Sequence, residues 1–415
     1  MDALRTPAGE ALLAEVRARG TGDGALLATV AALRSRHDPE LVAAAVTQVR
    51  LRDRARAKFG ADADRMFFTA DGLEQATRAE VAARHAARFA AAGAERLLDL
   101  CCGIGGDLVA FARAGPAVTG VDRDPATAAV ARANLAALGL PGTVLVRDAA
   151  VEPGWPAAWV DPSRRAGGRR VFDPRAYSPP LSFVAELAAA VPLTGAKVAP
   201  GIPHEAVTGL ASGAGVPLDI EAEWVSVGGE VKEAALWFGP LATATRRATV
   251  LPARSGPAAT LVGSGRQEDS PPPVGPPGEW LYEPDGAVIR AGLVGEVVAA
   301  LPGGRLVDRT IAYVAADSPA VTPWARGWRV TDVLPFSVAR LRALLRARGI
   351  GRVTVKKRGS AVDPELLRRQ LRLAGDGPEA VVVLTRVAGA PTALVCEPPV
   401  SRAAAAPSPA TPPGR

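Results

Sequence analysis

Four acidic residues along one stretch of the chain, Asp99, Asp122, Asp148 and Asp161, have the types and spacing to do chemistry together. Asp99 stands in an apolar run, Leu97-Leu98-Asp99-Leu100, that leads into Cys101-Cys102-Gly103-Ile104-Gly105-Gly106-Asp107-Leu108. A short apolar run bounded by glycines predicts a buried strand. Gly103, Gly105 and Gly106 predict a tight turn with no Cβ between backbone and ligand. A helix over about 107–114 should follow, stopped by Gly115-Pro116. The next strand, 117–121, ends beside Asp122. Ligands of open parallel sheets bind at that edge, and an acid there can hold both hydroxyls of a ribose. A dinucleotide turn, G-x-G-x-x-G, would need glycine at position 108, which is Leu108. The chain therefore fails the dinucleotide pattern at its last glycine.

The pattern D-x-x-x-G-x-G-G from Asp99 to Gly106 instead resembles the first motif of class I S-adenosylmethionine (SAM) methyltransferases. The resemblance implies that Asp99, Cys101, Gly103, Gly105 and Gly106 lie against the methionine part of SAM and that Asp122 binds its ribose. Asp148, after the strand Thr143–Val146, falls where that family places a polar residue on the adenine amine. Trp159-Val160-Asp161-Pro162-Ser163-Arg164-Arg165 falls where the family carries its fourth motif, beside the transferred methyl group. The segment before the first motif often folds over SAM in this family, which makes Glu74, Gln75 and Thr77 candidates for cofactor contact.

Methyl transfer by direct displacement needs a nucleophile in line with the S–CH₃ bond and a route for its proton, so positioning dominates. Asp161 is the first candidate to orient a target amine or accept its proton. Pro162 would stiffen the turn, and Ser163 and Arg164 could face the substrate. Purine N-methyltransferases commonly show an aromatic ring two residues after the proline, stacked on a flipped base. Ser163 and Arg164 follow the proline here instead, although a guanidinium can also stack on a base. Asp-Pro-x-Arg is closer to the uridine-5 methyltransferases, which attack with a cysteine. Cys101 and Cys102 belong to the cofactor turn and Cys396 lies far along the chain, so a covalent cysteine step is not expected. Arg164, Arg165, Arg169 and Arg170, interrupted by Gly167-Gly168, suggest a basic loop over the substrate; a plain surface loop is the alternative. His204 follows the fifth strand, and a single histidine there has a structural reading as well.

These residues need a framework to hold them. The 415 residues suffice for two or three domains. Residues 1–92 read as helical, with His37 at a helix boundary and Asp71 or Thr69 able to cap a helix near 70. Residues 93–251 carry the alternation of a parallel α/β sheet, the Rossmann-like class I methyltransferase fold. Strands are expected at 96–100, 117–121, 143–147, 157–160, 195–199, 222–227, 233–238 and 245–251, the last two as an antiparallel edge hairpin. Residues 252–279, rich in Gly, Pro and Ser, read as a linker. A small α/β unit over 280–330 and a basic β-α-β-α-β region over 331–398 follow. That last region resembles a THUMP-like domain, an RNA-binding module attached to some methyltransferases. In it a helix from Ser337 to Arg348 buries Val338, Leu341, Leu344 and Leu345, and a helix 363–373 begins at Asp363-Pro364. The Ala/Pro/Ser-rich end, 399–415, reads as disordered.

Composition narrows the partners. Three cysteines, two of them adjacent, make neither a disulfide framework nor a zinc site, and no metal is expected. No run of 18 apolar residues suggests a membrane span, and Met1-Asp2-Ala3-Leu4-Arg5 lacks the order of a signal peptide, so a cytoplasmic chain is expected. Residues 325–376 hold 13 Lys/Arg and 4 Asp/Glu, a net +9 in a chain whose total is +7. Basicity confined to one segment is the footprint that nucleic-acid binding needs; a solvated Arg-rich surface is the alternative. The expected activity is SAM-dependent methylation of structured RNA. The rivals are a protein or small-molecule methyltransferase and a non-catalytic RNA-binding protein of the same fold.

Overall fold

The computed structural model describes residues 2–163, 165–166, 169–170, 173, 176–213, 218–253, 256–263 and 271–398. Arg164 and the tail 399–415 lie outside them, as do the side chains of Arg165, Arg169 and Arg170. The chain divides into two compact units, Met1–Ala222 with Glu233–Thr245, and Glu223–Lys232 with Arg246–Arg415.

The first unit opens with helices, as the sequence predicts. Thr6 and Asp38 cap Pro7–Arg19 and Pro39–Phe59, each with proline at the first turn where its missing N–H costs nothing. His37 sits in the turn between helices, with Nε2 3.7 Å from Glu15 Oε2. Of the two capping residues proposed near 70, Thr69 does the work: its hydroxyl accepts from Gly72 N and starts Ala70–Gln75. Helix Ala79–Ala91 follows and packs on helix Gly106–Ala114.

The sheet is built on β1 (Arg96–Leu100), which runs parallel to β2 (Ala117–Asp122) on one side and to β4 (Ala157–Val160) on the other. β3 (Thr143–Val146) flanks β2, and β5 (Leu193–Val198) flanks β4. Antiparallel to β5 runs the C-terminal part of β7 (Glu230–Phe238), with Gly195 opposite Trp237. Gly195 is required there, because a Cβ would lie 2.7 Å from the Trp159 ring. Phe89, Phe111, Trp159 and Trp237 fill the core beneath, their rings 5.4–6.3 Å apart in tilted and edge-on pairs.

One expected pairing differs. The antiparallel hairpin joins β6 (Ile220–Val227) to β7, and not 233–238 to 245–251. Gly228 and Gly229, at φ +62° and +90°, form the two-residue left-handed turn that favours a tight hairpin. Strand Arg246–Leu251 pairs instead with Ala259–Val262, inside the stretch expected to be a linker.

The second unit holds a seven-stranded sheet in the order Arg305–Asp308, Ile311–Ala316, Trp280–Pro284, Ala325–Pro335, Ala390–Cys396, Glu379–Val387, Arg352–Lys357. Strand Ala325–Pro335 runs across position 330, so the 280–330 and 331–398 segments share this sheet. Val381, Val383, Leu394 and Cys396 point to one core. Ala380, Val382, Leu384, Ala393 and Val395 point to the other, the alternation that a sheet covered on both faces requires. Helices Val338–Ala347 and Pro364–Leu371 cover that second face with Leu341, Leu345, Leu367 and Leu371, while Val338 and Leu344 are only half-buried. Arg340, Arg346, Arg348, Arg352, Lys357, Arg368, Arg369 and Arg372 are exposed. Among the described residues no helix is long and apolar enough to cross a membrane.

Candidate active site

The cofactor turn grows out of β1. Cys102 N donates to Val121 O at 3.0 Å and Gly105 N to Cys102 O at 2.9 Å, which curls the chain over the end of the sheet. Cys101, Gly103 and Gly105 take left-handed φ of +59°, +57° and +87°. A Cβ on Gly103 would meet nothing within 4 Å, so that position faces open space. Gly106 answers a different need: a Cβ there would press on the Thr77 backbone at 3.4 Å, so its bareness lets the 76–77 segment approach. Cys102 packs against Gly120, whose own Cβ would lie 3.0 Å from the Cys102 sulfur.

Two acids frame the turn. Asp122 Oδ2 accepts from Gly103 N at 3.0 Å and Oδ1 from Asp124 N at 2.9 Å, which fixes the carboxylate at the edge of β2. Asp99 is 1% exposed, and neither of its carboxyl oxygens has a hydrogen-bond partner among the described residues. Burial, joined by the nearby Asp107, Asp161 and Asp122, pushes its carboxyl well above the usual range. A buried acid with no partner is costly. An ammonium or sulfonium group next to it would supply the missing charge. The bare flank of Gly103 and the orphaned Asp99 together fit a small cationic cofactor such as SAM.

Asp161 follows β4, its N–H bonded to Leu100 O at 3.1 Å. Lys197, on the neighbouring strand β5, brings Nζ to 2.6 Å from Asp161 Oδ2 and donates to Thr77 Oγ1 at 3.0 Å. Thr77 Oγ1 donates in turn to Asp107 Oδ2 at 2.6 Å. Asp107 Oδ1 lies 2.8 Å from His85 Nδ1, and His85 Nε2 lies 2.7 Å from Glu233 Oε1. One buried hydrogen-bonded chain therefore runs Asp161–Lys197–Thr77–Asp107–His85–Glu233. Burial alone would lower the His85 pKa, but Glu233 and Asp107 outweigh it and raise it to about 10. The His85 ring lies against Trp159, centroids 4.3 Å apart and planes tilted by 32°. Burial would raise Asp107, yet His85 holds it below the usual carboxylate range. Lys197 is raised although burial opposes its charge, because Asp161, Glu233 and Asp107 surround it. Burial raises Asp161, and Lys197 works against that rise.

Pro162 is buried, and Ser163 is exposed, its backbone N and O bonded to Ser178 O and N. Gln75 and Glu74 are exposed at the end of helix Ala70–Gln75, where Lys58 Nζ pins the carbonyls of Leu73, Glu74 and Ala76. Asp148 is exposed in the loop after β3. His204 begins helix His204–Gly213 after β5. Burial, Asp161, Asp122 and Asp99 push the Cys101 thiol up to about 12, and burial pushes Cys396 to about 12, so both are protonated and poor nucleophiles at neutral pH. No group of three or more His, Cys, Asp or Glu able to hold a metal occurs among the described residues.

Sequence reasoning missed Lys197, Asp107, His85 and Glu233. A signal existed for Lys197: it is the one charged residue in the strand Leu-Thr-Gly-Ala-Lys-Val of an otherwise buried parallel sheet.

Comparison with known proteins bears on this geometry. A family model described as an RNA cap guanine-N2 methyltransferase matches residues 94–151. One described as THUMP domain-like matches 325–398, starting with strand Ala325–Pro335, and a domain of unknown function matches 1–55. An uncharacterized S-adenosylmethionine-dependent methyltransferase of Mycobacterium tuberculosis, recorded in strains CDC 1551 and H37Rv, is 37% identical over 370 residues, which span 84% of this chain and 95% of the relative. The chain belongs to the SAM-dependent methyltransferases. Its cofactor is SAM, and its C-terminal domain is THUMP-like. The fold of this methyltransferase is shared by the crystal structure of a protein from Porphyromonas gingivalis W83, provisionally assigned as a methyltransferase. The TM-score is 0.71 at 22% identity, over 87% of this chain and 92% of that one.

Proposed function

We propose that this methyltransferase modifies a nucleotide of structured RNA by direct transfer, with Asp161 as the group that orients the acceptor and takes its proton. The observation that carries the RNA reading is the concentration of charge: the segment 325–376, net +9, falls within the THUMP-like match. The RNA cap guanine-N2 methyltransferase match at 94–151 supports the same acceptor class. Exposed cations in that segment suit phosphate contact, which positions RNA without reading its sequence. The basic loop 164–170 is proposed to contribute further contacts.

On this reading Asp99, Cys101, Gly103, Gly105 and Gly106 receive the methionine part of the cofactor, Asp122 the ribose and Asp148 the adenine, with Gln75 and Thr77 on the covering segment. Bound SAM supplies a methyl group made electrophilic by the adjacent sulfonium. Asp161 Oδ2 is occupied by Lys197, whereas Oδ1 has no hydrogen-bond partner among the described residues, and 28% of the side-chain surface is exposed. That free oxygen would accept an N–H of the acceptor, leave the nitrogen lone pair facing the methyl group, and take the proton once the new N–C bond has formed. The protonated Cys101 agrees with a route that has no covalent thiolate step. Pro162 holds the turn, and Ser163 and Arg164 would lie on the acceptor side.

The test uses SAM carrying a labelled methyl group, the purified chain, and an extract of cells lacking this gene, separated afterwards into RNA, protein and small molecules. Label in RNA, falling with added salt, is expected. Label in protein or in small molecules, with RNA unlabelled, overturns the RNA reading.

A further inference from the structure

We propose that Lys197 is the positioning residue of the transfer, holding one oxygen of Asp161 so that the other meets the acceptor as an anion. The proposal rests on the role given above to Asp161. Val160 and Ala196 are register partners on β4 and β5, so Asp161 and Lys197 stand side by side where both strands end. Nζ reaches Oδ2 at 2.6 Å from a buried position, whereas the carboxylate is open on its other side. Lys197 is itself held. Thr77 Oγ1 accepts its second hydrogen bond at 3.0 Å, and Thr77 is anchored through Asp107 to the doubly bonded His85. An ammonium tied at two points cannot swing away when the acceptor arrives, so the direction of the free carboxylate oxygen is set before binding.

The charge around the pair makes the cation necessary. Asp107 on helix Gly106–Ala114 and Glu233 on β7 both disfavour an ionised Asp161, and Asp99 on β1 and Cys101 in the turn face it electrostatically as well. His85 is spent between Asp107 and Glu233. Among the described residues, Lys197 is the positive side chain in direct contact with Asp161. Without it, a half-buried carboxylate amid other acids would hold its proton to higher pH and be a poorer acceptor of one from the substrate.

The experiment follows the Asp161 carboxyl by NMR of full-length protein carrying ¹³C at the aspartate carboxyl carbons, with the resonance assigned by its loss in Asp161→Asn. In Lys197→Met the titration midpoint of Asp161 is expected to rise by about one pH unit or more. The acidic limb of the kcat–pH profile should rise with it, and kcat should fall about tenfold or more, while Kd for SAM stays within about threefold. Lys197→Arg, which returns a cation, should bring the Asp161 midpoint back towards the wild-type value. If Lys197→Met does not fold, Lys197→Gln keeps an N–H donor without the charge and reads the same titration. An unmoved midpoint in whichever neutral variant folds overturns the proposal, as does a loss of activity with an unmoved acidic limb, because a merely structural ion pair would give that result. The carboxyl titration needs no acceptor. RNA that takes no label would therefore sink the RNA reading and leave this one standing.

Discussion

Glu233 Oε1 lies 2.7 Å from His85 Nε2, across 148 residues of chain. With Asp107 on the other ring nitrogen, the imidazole is clamped between two buried carboxylates. The His85 pKa is raised from 6.5 to about 10 in the folded state. The stability gained from the bound proton is therefore present in full below pH 6.5 and is lost as the pH rises through about 10. Replacing His85 with leucine leaves both acids without their cation and should cost ~3–5 kcal/mol near neutrality. Denaturant unfolding of wild type and His85→Leu at pH 6 and at pH 10 checks this. The gap between them should narrow at the higher pH, and an unchanged gap would contradict a charged His85.

Asp99 shifts stability with pH in the same direction, but its substitution should act in the opposite sense. A carboxyl whose folded pKa lies above its unfolded value lowers stability as the pH rises past the unfolded value. Asp99→Asn removes that penalty and should stabilise the SAM-free chain by ~1–3 kcal/mol at pH 7. It should also weaken SAM binding about tenfold or more, because the cofactor's cationic groups lose their counter-charge. Thermal unfolding and calorimetric titration read the two effects. Together they mark a residue retained for binding at the expense of stability.

Two glycines separate backbone cost from cofactor contact. Gly103 and Gly139 both have left-handed φ, +57° and +69°, and a Cβ on either meets nothing within 4 Å. Alanine at each should cost a similar ~1–2 kcal/mol. Only Gly103→Ala should weaken SAM binding, because the added methyl group fills the space left for the ligand. Equal SAM affinity in the two variants would remove Gly103 from the site.

Salt dependence tests the second unit. Arg340, Lys357 and Arg369 are exposed. If each meets a phosphate, removing all three should flatten the slope of log K against log salt by about 2 for single-stranded RNA regions. Filter binding at several salt concentrations measures it. A parallel loss of affinity with the slope unchanged would place those cations away from the RNA.

The readable parts of this molecule were the ones encoded locally. The turn from Asp99 to Gly106 declares itself because glycine spacing and acid placement act within a dozen residues. The helix Val338–Ala347 declares itself by leucines and arginines on opposite faces. The proton-bearing chain behind Asp161 did not. Lys197 meets Asp161 across 36 residues, and Glu233 meets His85 only because β7 inserts beside β5. Such partners are created by strand order, which periodicity does not encode. The hairpin at Gly228-Gly229 does carry a local signal, the glycine pair itself, but the alternation of the flanking strands alone does not say which neighbour each strand pairs with. Cys101 shows the limit of residue type: it holds a left-handed φ of +59° that its identity would not suggest.

Asp161 is proposed to serve the transfer and not the binding of the cofactor. The most direct measurement pairs SAM affinity with the single-turnover rate of label transfer to RNA, in wild type and in Asp161→Ala. A SAM Kd within about threefold of wild type and a transfer rate lower by about a hundredfold or more are expected for Asp161→Ala. Transfer at the wild-type rate by Asp161→Ala, or none by a wild-type chain that binds SAM and RNA, would contradict it.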